Sequence, residues 1–496
     1  MHNRGIIIQA GPYTFNSRLC GGHRIAHYLR SNHDWDIEVV DFGWIWTEEQ
    51  LKKFIDSRSG PDLKWIGIGM MFVNWIEKWT TLFEYIKKKN PDIMTVFGSG
   101  AAPNFVCQHI DYYVYGFGEH AIVSLLKYQF SNGPRPRFSL ADRHNRKLID
   151  SNNQHPAYPM KSLDIRYEDR DFLTPVDSLT VEFSRGCKFT CAFCNFPVLG
   201  VKGDYSRDAD DFRSQLVDAY DRFGVTRYHV ADETFNDRTE KITKFADVVE
   251  KLDFVPWFSA YIRADLLIAR PRDREELLRM NLTGHYYGIE TFNRESGKII
   301  GKGYDTEKLK QGLLDVKQYF LQHGLYRGVI SLINGLPGEN IESMKSSIQW
   351  LKDHWIGQSA QIFALDLAEG DLVKKSKMAA DYQKYGYKKI DTAKKSKIDV
   401  KYARDVYTEY IDWENDLTSR DECMKLGDEF AKEFVHDPRW KIGNWSINSY
   451  GYLPLEEAFD KPVSDIRGDS EAHHQKPEVK KIIQTYINNK IDWTKH

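Results

Sequence analysis

Short apolar runs alternate with amphipathic stretches over the first quarter of the chain, and this alternation is the strongest constraint on the fold. Runs such as GIIIQA at 5–10 and WIGIGMM at 65–71 are almost continuously apolar, as strands covered on both faces are. We predict strands at 5–10, 37–41, 65–71, 95–98 and 112–115, with helices in the intervals. The pattern indicates a Rossmann-like, doubly wound parallel sheet, whose ligands bind at the strand carboxyl ends.

A second strand–helix series runs from about residue 175 to residue 370. Predicted strands lie at 178–183, 227–231, 257–262, 285–289, 327–334 and 361–367. A series of this length predicts a partial (β/α)6 barrel rather than a closed barrel of eight units. In barrels of this kind the catalytic groups lie at the carboxyl ends of the strands.

The segments outside these two series have a different composition. Residues 133–174 are rich in Pro, Arg, Asn and Asp and predict a linker, whereas 371–496 predict a mainly helical C-terminal region. We therefore divide the chain into a Rossmann-like domain at 1–132, the linker, the partial barrel at 175–370 and the C-terminal region. The overall fold class predicted is α/β.

Composition excludes several classes of protein. The formal net charge of −2 gives no global attraction to nucleic acid or to a membrane surface. The chain has no run of about 18 apolar residues and no signal-peptide pattern. Six cysteines in a chain of 496 residues are too sparse for a disulfide scaffold and fit a reducing compartment. We expect a cytoplasmic protein with no membrane partner, and nucleic acid is not indicated as a partner.

Cys187, Cys191 and Cys194 form a C-x3-C-x2-C pattern directly after a predicted strand. Three neighbouring thiolates hold three irons of a cubane and leave the fourth iron open to a small molecule. A structural zinc site requires a fourth ligand, which a His or a distant Cys would have to supply. The spacing therefore favours a [4Fe–4S] cluster, with zinc as the alternative.

This cysteine pattern, with Phe193 immediately before the last cysteine, resembles the defining motif of the radical S-adenosylmethionine (SAM) superfamily. In that family the open iron chelates SAM, which is cleaved by one electron to methionine and a 5′-deoxyadenosyl radical. The resemblance implies metal ligation by the three cysteines and SAM binding near Phe193. It also implies an external electron donor such as flavodoxin or ferredoxin.

Two segments after the next predicted strands resemble parts of the family's SAM site. The resemblance places Asp232 and Glu233, in ADETF, at the SAM amino group, and Arg263, in SAYIRAD, at the SAM carboxylate. An Arg matches a carboxylate well because its guanidinium can donate two parallel hydrogen bonds. The alternatives from the residues alone are an acidic helix cap for the first pair and a surface ion pair for Arg263.

Two further segments extend the resemblance towards residue 370. Glu290, in GIET, would lie near the SAM ribose, and Gly335 and Gly338, in GLPGE, would form a turn near the adenine. A turn alone would also explain this Gly-Pro-Gly sequence. The substrate remains unknown, and no residue is assigned a catalytic role.

The N-terminal series resembles the cobalamin-binding-type domains that are fused to radical SAM barrels. The segment DYYVYGFGE and the loop that starts at Gly98 carry this resemblance, which makes Gly98 and Gly118 candidate cobalamin contacts. The loop at 11–18 lacks the D-x-H-x-x-G motif that supplies a cobalt ligand in methionine-synthase-type domains. Ordinary turns and helix packing would also explain the glycines, and His23 is expected to be a surface or capping residue.

The combined resemblance implies a cobalamin-dependent radical SAM methyltransferase that acts on an unactivated carbon of a small-molecule or unknown substrate. One alternative is a radical SAM cyclase or rearrangement enzyme that does not use cobalamin. Another is a non-catalytic Fe–S or zinc-binding protein. Methylthiolation is disfavoured, because methylthiotransferases carry three more cysteines in their N-terminal domain.

Overall fold

Two parallel sheets form the framework of the protein in a computed structural model. The structure describes residues 3–11, 16–70, 76–99, 106–139, 145–151, 164–194, 205–368, 376–390, 411–465 and 476–493.

The strands carry the following bounds. They are β1 (Asn3–Gln9), β2 (Ser17–Arg18), β3 (Trp35–Val40), β4 (Leu63–Met70), β5 (Met94–Ser99), β6 (Tyr112–Tyr115), β7 (Leu148–Asp150), β8 (Ser178–Val181), β9 (Arg227–Val230), β10 (Trp257–Ile262), β11 (Leu282–Glu290), β12 (Arg327–Asn334), β13 (Ser359–Ala364), β14 (Lys388–Lys389) and β15 (Trp413–Glu414).

The helices lie mainly between these strands. They are α1 (Cys20–Asn32), α2 (Glu48–Arg58), α3 (Ile76–Lys89), α4 (Gly118–Phe130), α5 (Ala209–Phe223), α6 (Thr239–Val249), α7 (Ala264–Ala269), α8 (Arg272–Arg279), α9 (Arg294–Ile299), α10 (Thr306–His323), α11 (Ile341–His354), α12 (Lys377–Ala380), α13 (Arg420–His436), α14 (Asn444–Ile447), α15 (Leu455–Phe459) and α16 (Pro477–Asp492).

The first sheet has the strand order β3-β1-β4-β5-β6-β7, and all its pairs are parallel. Separate apolar clusters cover its two faces, as the continuously apolar strands require. The predicted Rossmann-like sheet is thereby confirmed. Its edge strand β7 comes from the segment predicted as a linker, where three residues are too short for a visible periodicity.

The second sheet has the order β13-β12-β11-β10-β9-β8-β2 and is also entirely parallel. The six predicted barrel strands are all present, so the partial barrel is confirmed. The last of them starts at Ser359, two residues before the predicted start. The seventh strand, β2, comes from the N-terminal part of the chain and pairs with β8. Sequence patterns could not predict this pairing, because β2 has only two residues.

The barrel core lies between the sheet and its outer helices. The ring centroid of Phe245, on α6, lies 5.0 Å from the ring centroid of Phe183 and 5.0 Å from that of Phe258. Aromatic rings from a helix and from two strand segments therefore pack together. The C-terminal region is mainly helical, as predicted, and contributes side chains to both sheets. Among the described helices, none has the length and hydropathy needed to cross a membrane.

Candidate active site at the cysteine loop

The segment 184–194, here called the cysteine loop, begins just beyond the carboxyl end of β8. Cys187, Cys191 and Cys194 are all half-buried and none is in a disulfide. The Ala192 N–H donates to the carbonyl of Ile300 at 3.0 Å, and the Ala192 carbonyl accepts from the Met378 N–H at 2.9 Å. These backbone bonds hold the loop between the segment after β11 and the C-terminal region.

Asp232 holds the start of the cysteine loop from the neighbouring strand. Its Oδ1 accepts from the backbone N–H groups of Phe183 and Ser184, both at 2.9 Å, and its Oδ2 accepts from the Ser184 hydroxyl. Lys241 lies 3.4 Å from the same oxygen, and the Asp232 residue has no exposed surface. The carboxylate predicted to contact SAM thus has protein partners on both oxygens.

Glu233 reaches the cysteine loop one residue before the first cysteine. Its Oε2 accepts from the Gly186 N–H at 2.8 Å, and the hydroxyl of the next residue, Thr234, lies 3.4 Å from the Cys187 Sγ. Burial raises the pKa of Glu233 to about 7. A positively charged group arriving here would favour the ionised carboxylate.

Arg263 lies against the middle of the cysteine loop. Its guanidinium carbon is 3.9 Å from the centroid of the Phe189 ring, and its Nη1 is 3.9 Å from the Cys191 Sγ. Its Nε and Nη2 donate to the two carboxylate oxygens of Asp265, at 3.0 and 2.7 Å. The bidentate partner predicted to be the SAM carboxylate is therefore Asp265 in this structure.

Glu290 ends β11 at a bulge, where its φ is +68°. A left-handed backbone at a residue other than glycine stores strain, which is common at functional sites. Lys302 Nζ donates to Glu290 Oε1 at 2.7 Å and to the Gly288 carbonyl at 2.6 Å. The same ammonium lies 5.6 Å from the Phe193 ring centroid, so Glu290 and Phe193 share a neighbour.

Gly335 and Gly338 form the turn after β12, with φ of +86° and +85°. A Cβ on Gly335 would lie 2.8 Å from the Cys423 Sγ and would also clash with Trp413. The hydroxyl of Tyr387 donates to the Gly335 carbonyl at 2.7 Å. The turn is thus in close contact with the C-terminal region, and its place beside the adenine stays a prediction.

Gly98 and Gly118 lie at the carboxyl edge of the first sheet. Gly98 is in β5, and a Cβ there would meet only the Ile68 carbonyl, at 4.0 Å. Gly118 opens α4, and a Cβ there would lie 2.8 Å from the Cδ1 of Ile25 on α1. The rest of the predicted glycine loop, from residue 100, lies outside the described residues.

Sequence reasoning missed a buried quartet of charges formed by Arg24, Glu119, Glu182 and Arg185. Arg185 Nη2 donates to Glu119 Oε1 at 2.6 Å and its Nε donates to Glu182 Oε1 at 3.0 Å, while Arg24 pairs with Glu182. Burial opposes the ionisation of Glu182, but Arg185 and Arg24 outweigh it and lower its pKa to about 2. The quartet ties α1 and α4 of the first sheet to the cysteine loop.

His23 differs from its prediction as a surface or capping residue. It is 1% exposed, and its Nε2 lies 3.0 Å from Asp41 Oδ2. Arg18 Nη1 donates to the same oxygen at 2.7 Å. The prediction was wrong because Asp41, at the end of another strand, is distant in sequence and provides the buried partner.

The thiols of the cysteine loop fit an iron–sulfur cluster. Within the described ranges, no three His, Cys, Asp or Glu side chains converge on a single metal ion. A cubane does not require such convergence, because each thiolate ligates a different iron. Arg263 Nη1 lies 3.9 Å from the Cys191 Sγ, so a guanidinium faces one of the three thiols.

Comparison with known proteins agrees with this geometry. Residues 181–351 match the family model described as the Radical SAM superfamily. No curated protein sequence matches the chain significantly.

Two solved proteins resemble almost the whole chain. OxsB, a cobalamin-dependent SAM radical enzyme solved with aqua-cobalamin and SAM, gives a TM-score of 0.62 at 14% identity, covering 98% of this chain and 75% of its own. TsrM, a radical SAM methyltransferase from Kitasatospora setae solved with tryptophan and a SAM analogue, gives 0.62 at 12% identity, covering 96% and 100%. At these identities the likeness shows a shared fold, and the segment 181–351, which contains the cysteine loop and most of the barrel, is similar to the Radical SAM superfamily.

Proposed function

We propose that Cys187, Cys191 and Cys194 hold a [4Fe–4S] cluster at which SAM is reductively cleaved. The observation that carries this proposal is the cysteine loop itself, which lies at the carboxyl edge of the barrel beside Glu233 and Arg263. When bound, the cluster would supply the electron that converts SAM to methionine and a 5′-deoxyadenosyl radical. An external reductant would supply that electron in turn.

The side chains around the loop would orient SAM. Glu233 would accept a hydrogen bond from its amino group, because this carboxylate already faces the loop through Gly186. Arg263 and Lys302 would place positive charge near its carboxylate, at the side of the loop occupied by Cys191. Asp232 would act as a positioning residue through Ser184.

We further propose that the enzyme is a cobalamin-dependent methyltransferase that acts on an unactivated carbon. One support is the six-stranded parallel sheet, which precedes the barrel in the chain. Another is that OxsB and a second TsrM structure are described with bound cobalamin. This TsrM structure has a TM-score of 0.57 at 12% identity and covers 78% of this chain and 77% of its own. Cobalamin would bind at the carboxyl edge of the first sheet. The buried quartet would hold that edge against the cysteine loop.

The cluster assignment is tested with anaerobically reconstituted protein and a strong reductant. We expect about four irons per chain and formation of 5′-deoxyadenosine from SAM. Cys191→Ala should lose both, whereas Cys107→Ala, which changes a half-buried thiol of the first sheet, should keep both. Unchanged 5′-deoxyadenosine formation by Cys191→Ala would refute the ligand assignment.

The cobalamin assignment is tested separately by the absorption spectrum of the purified protein after incubation with hydroxocobalamin and gel filtration. Retention of one cobalamin per chain, and methyl transfer from labelled SAM, would support the proposal. Cleavage of SAM by a protein that retains no cobalamin would favour a radical cyclase or rearrangement enzyme instead.

A further inference from the structure

The inner face of the partial barrel is identified by contacts between neighbouring strands. On β10, Phe258, Ala260 and Ile262 belong to the core beneath the outer helices. Tyr261 therefore faces inward, where its ring centroid lies 4.9 Å from Tyr286 on β11 and 5.6 Å from His229 on β9. Alternation along each strand then assigns every second side chain to the interior.

The solvent exposure of the inward-facing side chains increases from the level of His229 to the level of Tyr261. At the level of His229 the inward side chains are buried, and His229 and Ser259 are 1% and 0% exposed. Tyr261 and Tyr286, one level nearer the strand carboxyl ends, are partly exposed, and so is Gln361. Above them Phe363 is 44% exposed. The two tyrosines thus form the floor of an open space, here called the lumen floor.

The C-terminal region closes the barrel below this floor. The His229 ring packs against Trp445 in a tilted arrangement, with centroids 3.8 Å apart, and its Nδ1 is hydrogen-bonded to the Ser259 hydroxyl at 2.8 Å. Arg227, one level lower, donates to the carbonyls of Tyr450 and Leu453 at 3.2 and 2.6 Å. Among the described residues, these contacts close the lower end of the barrel, so a ligand would enter from the end that carries the cysteine loop.

The chemistry of the open space is aromatic and nearly free of unpaired charge. The Tyr286 hydroxyl donates to Gln361 Oε1 at 3.3 Å, which leaves the Gln361 amide nitrogen to donate to a ligand. At the rim, Arg263 is paired with Asp265 and Lys302 with Glu290. The proposed function assigns Glu233 to SAM, and Lys188 and Lys377 donate to the backbone carbonyls of Asp237 and Thr190.

Edge-to-face aromatic pairs bind a further ring well, because the ring quadrupoles favour tilted and offset contacts. A buried carboxylate or phosphate on the substrate would need a cation of its own. Arg263 and Lys302 are paired with Asp265 and Glu290, and the proposed function uses both for SAM. We propose that the lumen floor binds the planar, uncharged aromatic part of the substrate, with Gln361 donating to an acceptor on its edge. This inference rests on the proposed function, which places the radical chemistry above the same floor.

The test measures binding of naphthol to the reconstituted holoprotein with SAM, by calorimetry. Decahydronaphthol has the same carbon skeleton without planarity, and naphthoate has the planar ring with a negative charge. We expect naphthol to bind at least threefold more tightly than either. Equal or weaker binding of naphthol would overturn the proposal.

Substitutions then locate the site. Tyr286→Leu should weaken naphthol binding at least threefold, whereas Tyr286→Phe, which keeps the ring, should stay within twofold. Tyr85→Leu, on α3 of the first sheet, is the control and should bind as the wild type does. Unchanged binding by Tyr286→Leu would refute the site, and Tyr261→Leu replaces that variant if it is insoluble.

Cleavage of SAM by the wild-type holoprotein, measured without any probe, separates the two proposals. If 5′-deoxyadenosine forms but the protein does not bind naphthol more tightly than the other two probes, only the aromatic site is refuted. If no 5′-deoxyadenosine forms, the proposed function fails, whatever the probes show.

Discussion

At the scale of single residues, the site combines a carboxyl group whose pKa is about 7 with glycines that let neighbouring side chains pack closely against the backbone. The pKa of Glu233 is raised to about 7 by burial, while the neighbouring Asp232 is held by backbone donors and Lys241. The adjacent carboxylates of Asp232 and Glu233 thus have different roles. Asp232 fixes the loop, and Glu233 remains able to respond to a ligand.

Glu233 should make SAM binding depend on pH. Its ionised form accepts the stronger hydrogen bond, and ionisation rises from about one tenth at pH 6 to about nine tenths at pH 8. We therefore expect the ratio of wild-type to Glu233→Gln affinity for SAM to increase several-fold, up to about ninefold, over this range. Taking this ratio cancels the titration of SAM itself. Glu433→Gln, a surface change on α13, should give a ratio that does not vary with pH.

Gly335 should be much less tolerant of a side chain than Gly386. Both have left-handed backbones, with φ of +86° and +88°, so Ala costs about 1–2 kcal/mol of strain at each. At Gly335 the added Cβ would clash with Trp413 and Cys423, whereas at Gly386 no atom of the described residues lies within 4 Å of it. Gly335→Ala should therefore lower the apparent Tm clearly more than Gly386→Ala, and equal shifts would contradict the tight contact.

At the scale of elements, the buried quartet joins α1 and α4 to the cysteine loop. Glu119 and Glu182 each lie beside both arginines, and Glu119 and Glu182 are 4% and 8% exposed. Removing one partner from a buried ion pair is expensive because the remaining charge loses its compensation. The first sheet thereby stabilises a loop of the second.

Glu119→Gln should consequently destabilise the protein by about 3 kcal/mol and reduce its iron content after reconstitution. The loss of iron follows because Arg185, its partner, is two residues from Cys187. Apparent Tm and iron per chain are the measurements. Glu84→Gln, an exposed change on α3, should alter neither, and full iron content in Glu119→Gln would show that the quartet does not support the loop.

Sequence patterns predicted the long elements well and the contacts between distant segments poorly. The long strands of both sheets are apolar runs, and such a run can be recognised from neighbouring residues alone. By contrast, β2 and β7 have two and three residues, so neither shows a period. The partners of Arg185 and His23 come from other elements, and a single charged residue carries no sign of burial. Placing Asp265 opposite Arg263 likewise required the structure.

At the scale of the whole molecule, α16 returns from the end of the C-terminal region to the first sheet. Its Tyr486 hydroxyl accepts from the Asp41 N–H at 2.9 Å, and the Lys490 carbonyl accepts from Arg58 at 2.7 Å. Tyr486 and Ile487 also belong to the apolar cluster that covers one face of this sheet. The helix therefore completes the N-terminal core.

Removing residues 476–496 should expose that core and leave the Arg58 and Asp41 groups without these partners. We expect a lower apparent Tm and increased binding of a hydrophobic dye. Tyr486→Phe, which removes only the hydroxyl, should lower stability by about 1–3 kcal/mol. A truncated protein with wild-type stability would contradict the role given to α16.

The Arg58–Lys490 bond joins residues 432 positions apart, and this separation has a consequence for biosynthesis. A ribosome that adds about 5–20 residues per second needs roughly 20–90 s to pass from one partner to the other. During that interval α2 and α3 can already cover this face of the first sheet, but the part that contacts Tyr486 and Ile487 lacks its final helix. The last step in folding of the N-terminal core therefore has to wait until translation of the C-terminal region is complete.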